Sequence, residues 1–166
     1  YFQSQKLYPE SVAAYEKCKA CDDKKGLDPN DIVYQLAMTY AANRDFDKAK
    51  PIFSDLIIKN TGYMKAPASL QMARCMVAEG NKDGAIALMD KTYADGDCQL
   101  QALLFKAELL VEDFRDYAGA RPVMRKMLAD YPDNPYTRGE GLAWWVYALE
   151  KTGQVDEAVE VVKSSL

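Results

Sequence analysis

A small residue recurs along the chain at a nearly constant interval, and this recurrence constrains the fold more than any other feature. The successive intervals are 38, 36, 35 and 38 residues. Each small residue falls at the same place in the second of two apolar stripes, at the hairpin crossing where two helix backbones would approach closely. An isoleucine there would overpack the crossing at a cost of about 1–3 kcal/mol. The five positions are Ser11, Ala49, Ala85, Ala120 and Ala158.

The clearest repeating unit consists of two apolar stripes separated by a short polar break at 42–45. The spacing i, i+3, i+4 and i+7 places side chains on one face of an α-helix. Two amphipathic helices with so short a link must fold back antiparallel, with their apolar faces together. The first stripe is Val33, Leu36, Ala37 and Tyr40, and the second is Phe46, Ala49, Phe53, Leu56 and Ile57.

The same order of apolar stripes returns further along the chain, which predicts further helix hairpins. One register is ambiguous: the leading helix of the third unit fits equally well with either of two stripes, and an additional residue before Tyr117 would explain this. The two stripes are Leu103, Ala107 and Leu110, or Leu104, Ala107 and Val111. The prolines at Pro51 and Pro122 predict second helices that either start late or kink, because proline inside a helix removes a hydrogen bond.

This order of apolar, small and aromatic residues resembles the tetratricopeptide repeat (TPR), whose consensus is Trp…Leu-Gly…Tyr…Ala…Phe…Pro. The resemblance implies an all-α, right-handed superhelical stack of antiparallel helix hairpins, with about four to four and a half repeats. It also implies that residues 1–166 form one TPR-like domain, which we expect to be a fragment of a longer protein. The slots are filled by Val33, Leu36, Ala37, Tyr40, Phe46, Ala49 and Phe53 in one unit, by Tyr117, Ala120, Met124 and Pro132 in another, and by Gly153, Val155, Ala158 and Val162 in a third.

The resemblance further implies a partner site, because in TPR proteins the leading helices line a concave groove that takes an extended peptide or a partner's helix. Residues one and five positions after the first member of each buried stripe would face that groove. To these we add Trp144, which lies off the buried stripe of its helix while Trp145 lies on it. The predicted partner-binding residues are Tyr34, Met38, Leu70, Arg74, Leu104, Glu108, Trp144 and Tyr147.

The family's best-known peptide site is a clamp of lysines, asparagines and an arginine that binds two carboxylates in chaperone tails. At the matching positions this chain has Tyr34, Met38 and Arg74, of which only one is basic. The resemblance therefore does not predict binding of such tails. The mixed apolar and aromatic positions instead predict an amphipathic segment of a partner protein.

Composition argues against catalysis and against nucleic acid. The chain of 166 residues contains no histidine, the commonest general base and metal ligand. We therefore predict no catalytic residue, no metal and no cofactor. With 21 lysines and arginines against 25 aspartates and glutamates, the net charge has the wrong sign for a nucleic-acid-binding protein. Two alternatives to a protein-binding scaffold remain: an RNA-binding helical-repeat module, and an accessory domain of a larger enzyme or assembly.

Three short motifs have both a chemical and a structural interpretation. The C-x-x-C pair Cys18 and Cys21 could be a redox pair or half a zinc site, but its helical pattern favours buried small residues. The carboxylates of Glu112 and Asp113 could do acid–base work in a pocket, and a solvated turn is favoured instead. The glycine-rich segment 80–84 follows a helix rather than a strand, so we interpret it as a hairpin turn.

The ends of the chain raise separate expectations. The last helix is expected to expose part of its apolar face, either because the chain is cut from a longer array or because this face binds a second copy. Residues 1–4 match the end of a protease site found in expression tags, although Phe2 also fits a native pattern.

Cysteine usage predicts a cytoplasmic protein, whereas 131–135 resembles repeat junctions of bacterial envelope TPR proteins. No apolar run predicts a membrane span.

Overall fold

A computed structural model describes residues 8–20, 28–59 and 64–164, and the regular structure in these segments is entirely helical. The α-helices are α1 (Tyr8–Ala20), α2 (Pro29–Ala42), α3 (Phe46–Lys59), α4 (Lys65–Ala78), α5 (Lys82–Ala94), α6 (Gln99–Glu108), α7 (Tyr117–Asp130), α8 (Leu142–Lys151) and α9 (Val155–Ser164). Two π-helical turns, Leu109–Asp113 and Thr137–Gly141, extend α6 and precede α8. The predictions for Cys21 and for residues 1–4 lie outside the described residues, and so does the side chain of Cys18.

The chain divides into two compact units, and the first spans Tyr1–Ala85. In it α1 packs on α2, α2 on α3, and α3 on α4. The stripes predicted for α2 and α3 form its core, with Phe53 completely buried. The hydroxyl of Tyr40 donates a 2.8 Å hydrogen bond to Glu16 and thereby joins α2 to α1. These contacts confirm the predicted helix hairpin.

The second unit spans Ile86–Leu166 and has its own core. Here α6 packs on α7, α7 on α8, and α8 on α9. Met124, Met127 and Leu149 are fully buried, and Trp145 is buried beside them, as its place on the predicted stripe required. The helix pairs predicted from the sequence are therefore present in this unit too.

The predicted crossing residues are buried where the steric argument requires it. Ala49, Ala85 and Ala120 have no exposed surface, and Ala158 is 5% exposed. Ser11 is half-buried. A methyl group therefore lies at the α2–α3, α6–α7 and α8–α9 crossings, and little space remains there for a larger side chain.

The π-helical turn at Leu109–Asp113 accounts for the ambiguous register of the third unit. The amide of Phe114 donates to the carbonyl of Leu109 at 3.1 Å, a bond that skips one residue more than an α-helical bond. The turn thus accommodates an additional residue before Tyr117. Both alternative stripes are buried, since the exposed fractions of Leu103 and Leu104 are 5% and 8%.

The two prolines lie inside their helices. Helix α3 begins at Phe46 and contains Pro51, and helix α7 begins at Tyr117 and contains Pro122. The alternative that these helices start late is therefore wrong. In α7 the start is fixed by Asp116, whose carboxylate accepts a 2.9 Å hydrogen bond from the amide of Gly119.

Candidate partner-binding surfaces

The predicted residues of α2 and α4 lie close together in the first unit. The half-buried ring of Tyr34 packs edge-on against Phe53, with 5.9 Å between the ring centroids. Burial raises the pKa of Tyr34, while its hydrogen bond with Gln71 and the positive charge of Arg74 oppose this shift. Tyr34 therefore stays a neutral phenol at physiological pH, positioned between the two helices.

A cavity of about 320 Å³ opens in the first unit beside these residues. Two of the residues predicted from spacing, Met38 and Arg74, line it together. Its volume is at the lower end of the roughly 300–1,000 Å³ typical of ligand pockets. It therefore has room for a group the size of one or two side chains rather than for a large ligand. The remaining lining residues are Ala41, Ala42, Arg44, Phe46, Gln71, Cys75 and Ala78.

Two of the predicted partner-binding residues are buried. Leu70 is 5% exposed and Leu104 is 8% exposed, so the expectation that their side chains face an open surface is corrected. Leu104 belongs to the core of the second unit. Glu108, the last residue of α6, is half-buried. Spacing along one helix cannot reveal how closely its neighbours cover it.

An aromatic cluster lies on α8 in the second unit. Tyr147 is 39% exposed and contacts Trp144 and Tyr117 edge-on, at centroid distances of 6.4 and 5.9 Å. The ammonium of Lys151 lies 5.1 Å from the centroid of the Tyr147 ring. Trp144 is half-buried against the core. Large, rigid aromatic side chains of this kind are typical anchors at protein interfaces.

Sequence reasoning missed three residues of these surfaces: Arg44, Gln71 and Tyr117. Arg44 adopts a left-handed backbone conformation with φ of 62°, which the residue type gives no reason to expect. Gln71 and Tyr117 fell outside the spacing rule. Gln71 immediately follows the predicted position 70, so a wider rule that included the second residue after the first member of each stripe would have found it.

A larger cavity of about 530 Å³ lies between α5, α6 and α7 in the second unit. Its rim carries two interactions that join these helices. Lys106 forms an ion pair with Asp90, and the ammonium of Lys126 lies 5.4 Å from the ring centroid of Tyr93. Its charged lining residues are balanced in sign and give the lining no net formal charge: Asp90, Lys106, Asp116 and Lys126.

The pair α8 and α9 presents an apolar face, here called the valine face. Val155, Val159 and Val162 are 57%, 45% and 40% exposed. Together with Val146 and Ala158 they line a cavity of about 280 Å³, flanked by Glu150 and Lys163. Contiguous exposed apolar side chains of this kind mark interaction sites in soluble proteins.

A bilayer-spanning helix and a metal-binding cluster each have structural requirements with which the described part of the chain can be compared. None of its helices combines the length and apolar character that a bilayer crossing requires. No group of three or more cysteine, aspartate or glutamate side chains in the described segments could hold a metal ion. Glu112 and Asp113 are both exposed.

The chain shares its architecture with a solved repeat protein. A crystal structure of nearly identical TPR-like repeats, from a protein assigned as a kinesin light chain in Podosopora anserina, is similar to it with a TM-score of 0.59. The alignment covers 98% of this chain and 88% of the other. This chain has a TPR-like fold. At 18% identity the similarity concerns the TPR-like fold alone. No protein-family model and no curated protein matches the sequence.

Proposed function

We propose that this TPR-like chain is a scaffold that holds a partner protein, as a peptide or an amphipathic helix, along the leading helices of its hairpins. One observation carries the proposal: Met38 and Arg74, which the resemblance to TPR proteins implied as groove residues, line one cavity beside Tyr34. The aromatic pair of exposed Tyr147 and half-buried Trp144 supports a second contact region on α8. These surfaces offer aromatic, apolar and cationic contacts, which suit a peptide better than a reacting small molecule.

The experiment that tests this function is capture of partners from the native source with the intact chain as bait, followed by titration of the captured protein. We expect Tyr34→Ala and Arg74→Glu each to weaken binding by roughly tenfold or more, as loss of a hot-spot contact does. Arg138→Glu is the matched control for Arg74→Glu, because Arg138 is exposed and lies on the second π turn. Unchanged affinity in both test variants would place the interface elsewhere on the chain.

We also propose that the valine face binds a second copy of the chain. The support is the exposure of three valines on one helix, since water-exposed aliphatic side chains gain free energy when they are covered. Glu150 and Lys163 at the edge of the face carry opposite charges. In a two-fold dimer, Glu150 of each copy can pair with Lys163 of the other copy. Cysteine usage supports a cytoplasmic setting for both interactions.

A further inference from the structure

The cavity between α2 and α4 is cationic in a chain that is acidic as a whole. The sequence carries 25 acidic and 21 basic residues. The described residues that line this cavity include Arg44 and Arg74 and no aspartate or glutamate. The third ionisable group of the lining, the Cys75 thiol, is neutral, because burial raises its pKa to about 11. The two positive charges in this lining favour an anionic group of a ligand.

The turn between α2 and α3 fixes the position of Arg44. Its backbone has the left-handed φ of 62°, and its amide donates a 3.0 Å hydrogen bond to the carbonyl of Ala41. The guanidinium carbon lies 5.9 Å from the centroid of the Phe46 ring. Residues other than glycine, asparagine and aspartate rarely adopt this backbone conformation. The strained turn and the aromatic ring together place a positive charge at the cavity.

Apart from the two arginines, the lining of the cavity is mostly apolar. Ala41, Ala42 and Ala78 contribute methyl groups, and Met38 and Phe46 contribute larger apolar side chains. With about 320 Å³, the cavity has room for a small aliphatic side chain beside a carboxylate. Arginine suits the carboxylate because its planar guanidinium can donate two parallel hydrogen bonds.

We propose that this cavity binds an internal aspartate or glutamate of the partner segment together with a neighbouring small aliphatic residue. The carboxylate is bound by Arg44 and Arg74, and the aliphatic side chain lies against the alanine methyl groups of the lining. The inference rests on the proposed function, since it names the chemistry of the partner at one of its surfaces. Arg44 becomes a specificity-determining residue, although it lies outside the leading helices.

The test is selection from a random library of short peptides that are acetylated and amidated, so that no terminal carboxylate is present. The wild-type chain is expected to enrich aspartate or glutamate next to alanine or valine. The best peptide should then bind about tenfold or more weakly to Arg44→Asn and to Arg74→Gln, because hydrogen bonds to charged groups are lost. Asparagine tolerates the left-handed backbone, so Arg44→Asn should keep the fold. Thermal unfolding and circular dichroism check this for each variant.

Two control variants sharpen the result. Arg44→Lys keeps the charge and is expected to retain more binding than Arg44→Asn. Arg138→Gln removes an exposed arginine of the second unit and should change affinity by no more than about twofold. Raised salt should weaken the wild-type complex and have less effect on Arg44→Asn.

The outcomes separate this inference from the proposed function. If the selected peptides lack an acidic preference, or bind equally to the wild type and to both charge-removing variants, the cavity assignment is overturned while peptide binding stands. If no peptide is selected and the captured partner is insensitive to Tyr34→Ala, both proposals fail. Enrichment of basic peptides would also overturn the assignment.

Discussion

Arg121 and Glu157 join α7 to α9 through an ion pair of 2.7 Å between residues 36 positions apart. Arg125 donates a second hydrogen bond to the other carboxylate oxygen. The guanidinium of Arg125 also lies 5.9 Å from the ring centroid of Trp145, which brings α8 into the same cluster. One carboxylate thus ties the last hairpin of the described chain to the helix before it.

The first prediction is that the protein loses stability in acid because Glu157 becomes protonated. The hydrogen bond from Arg125 lowers the pKa of this carboxyl, and the charge of Arg121 adds to the effect while burial opposes it. A lowered carboxyl pKa contributes stability that is present above the unfolded pKa of about 4.3 and is lost as the pH falls through the folded value. The melting temperature of Glu157→Gln should therefore lie below wild type at neutral pH and converge with it in acid.

The control for this prediction is Glu160→Gln on the same helix. Glu160 pairs with Lys163 at 3.0 Å, and both side chains are mostly exposed. Exposed pairs contribute little, so its melting temperature should follow wild type at every pH. A constant difference between Glu157→Gln and wild type from neutral to acid pH would contradict the linkage.

The second prediction concerns the hairpin crossing at Ala120. Because this methyl group is completely buried, Ala120→Ile should overpack the crossing and lower the free energy of unfolding by about 1–3 kcal/mol. Urea denaturation measures the change. Ala129→Ile introduces the same side chain at an exposed position of the same helix and should stay within about 0.5 kcal/mol of wild type. Equal losses in the two variants would show that helix propensity, rather than the crossing, causes the effect.

The crossing alanines could be predicted from sequence because their constraint is local and steric. Wherever two helices of a hairpin approach closely, the residue at the crossing must be small, and the interval then reveals the repeat. The complete burial of Ala49 and Ala120 follows from that constraint. The stripes of α2 and α3 could be predicted for the same reason, since periodicity reports directly on the buried face of a helix.

The π-helical turn and the buried groove positions could not be predicted in this way. An additional residue in a helix can be absorbed by a bulge or by a longer loop, and periodicity does not distinguish the two. Leu70 satisfied the spacing rule, yet its burial depends on neighbouring side chains distant in sequence. The position of Arg44 depends on a left-handed turn that its residue type does not predict.

The third prediction tests the turn between α8 and α9. Gly153 has a φ of 74°, and a Cβ added there would meet no atom within 4 Å. Any cost of Gly153→Ala is therefore conformational, and we expect about 1–2 kcal/mol of lost stability. Gly139 is equally open but has no positive φ. Gly139→Ala should therefore be neutral or stabilise by about 0.4–1 kcal/mol. A loss at Gly139 as large as that at Gly153 would contradict the role assigned to the backbone conformation.

The last prediction concerns the valine face. Val159 is 45% exposed between Val155 and Val162, so a second copy that covers this face would bury all three side chains. A carboxylate introduced there would lose its water on burial, at a cost that Lys163 one helical turn away offsets only in part, and Val159→Glu should weaken self-association by at least about tenfold. Ala129→Glu adds the same charge at an exposed position of α7 and should leave association unchanged. Light scattering over a range of protein concentrations measures both. A wild-type chain that stays monomeric at high concentration would rule out the second copy as the occupant of this face, and the valines would then be available to a different protein.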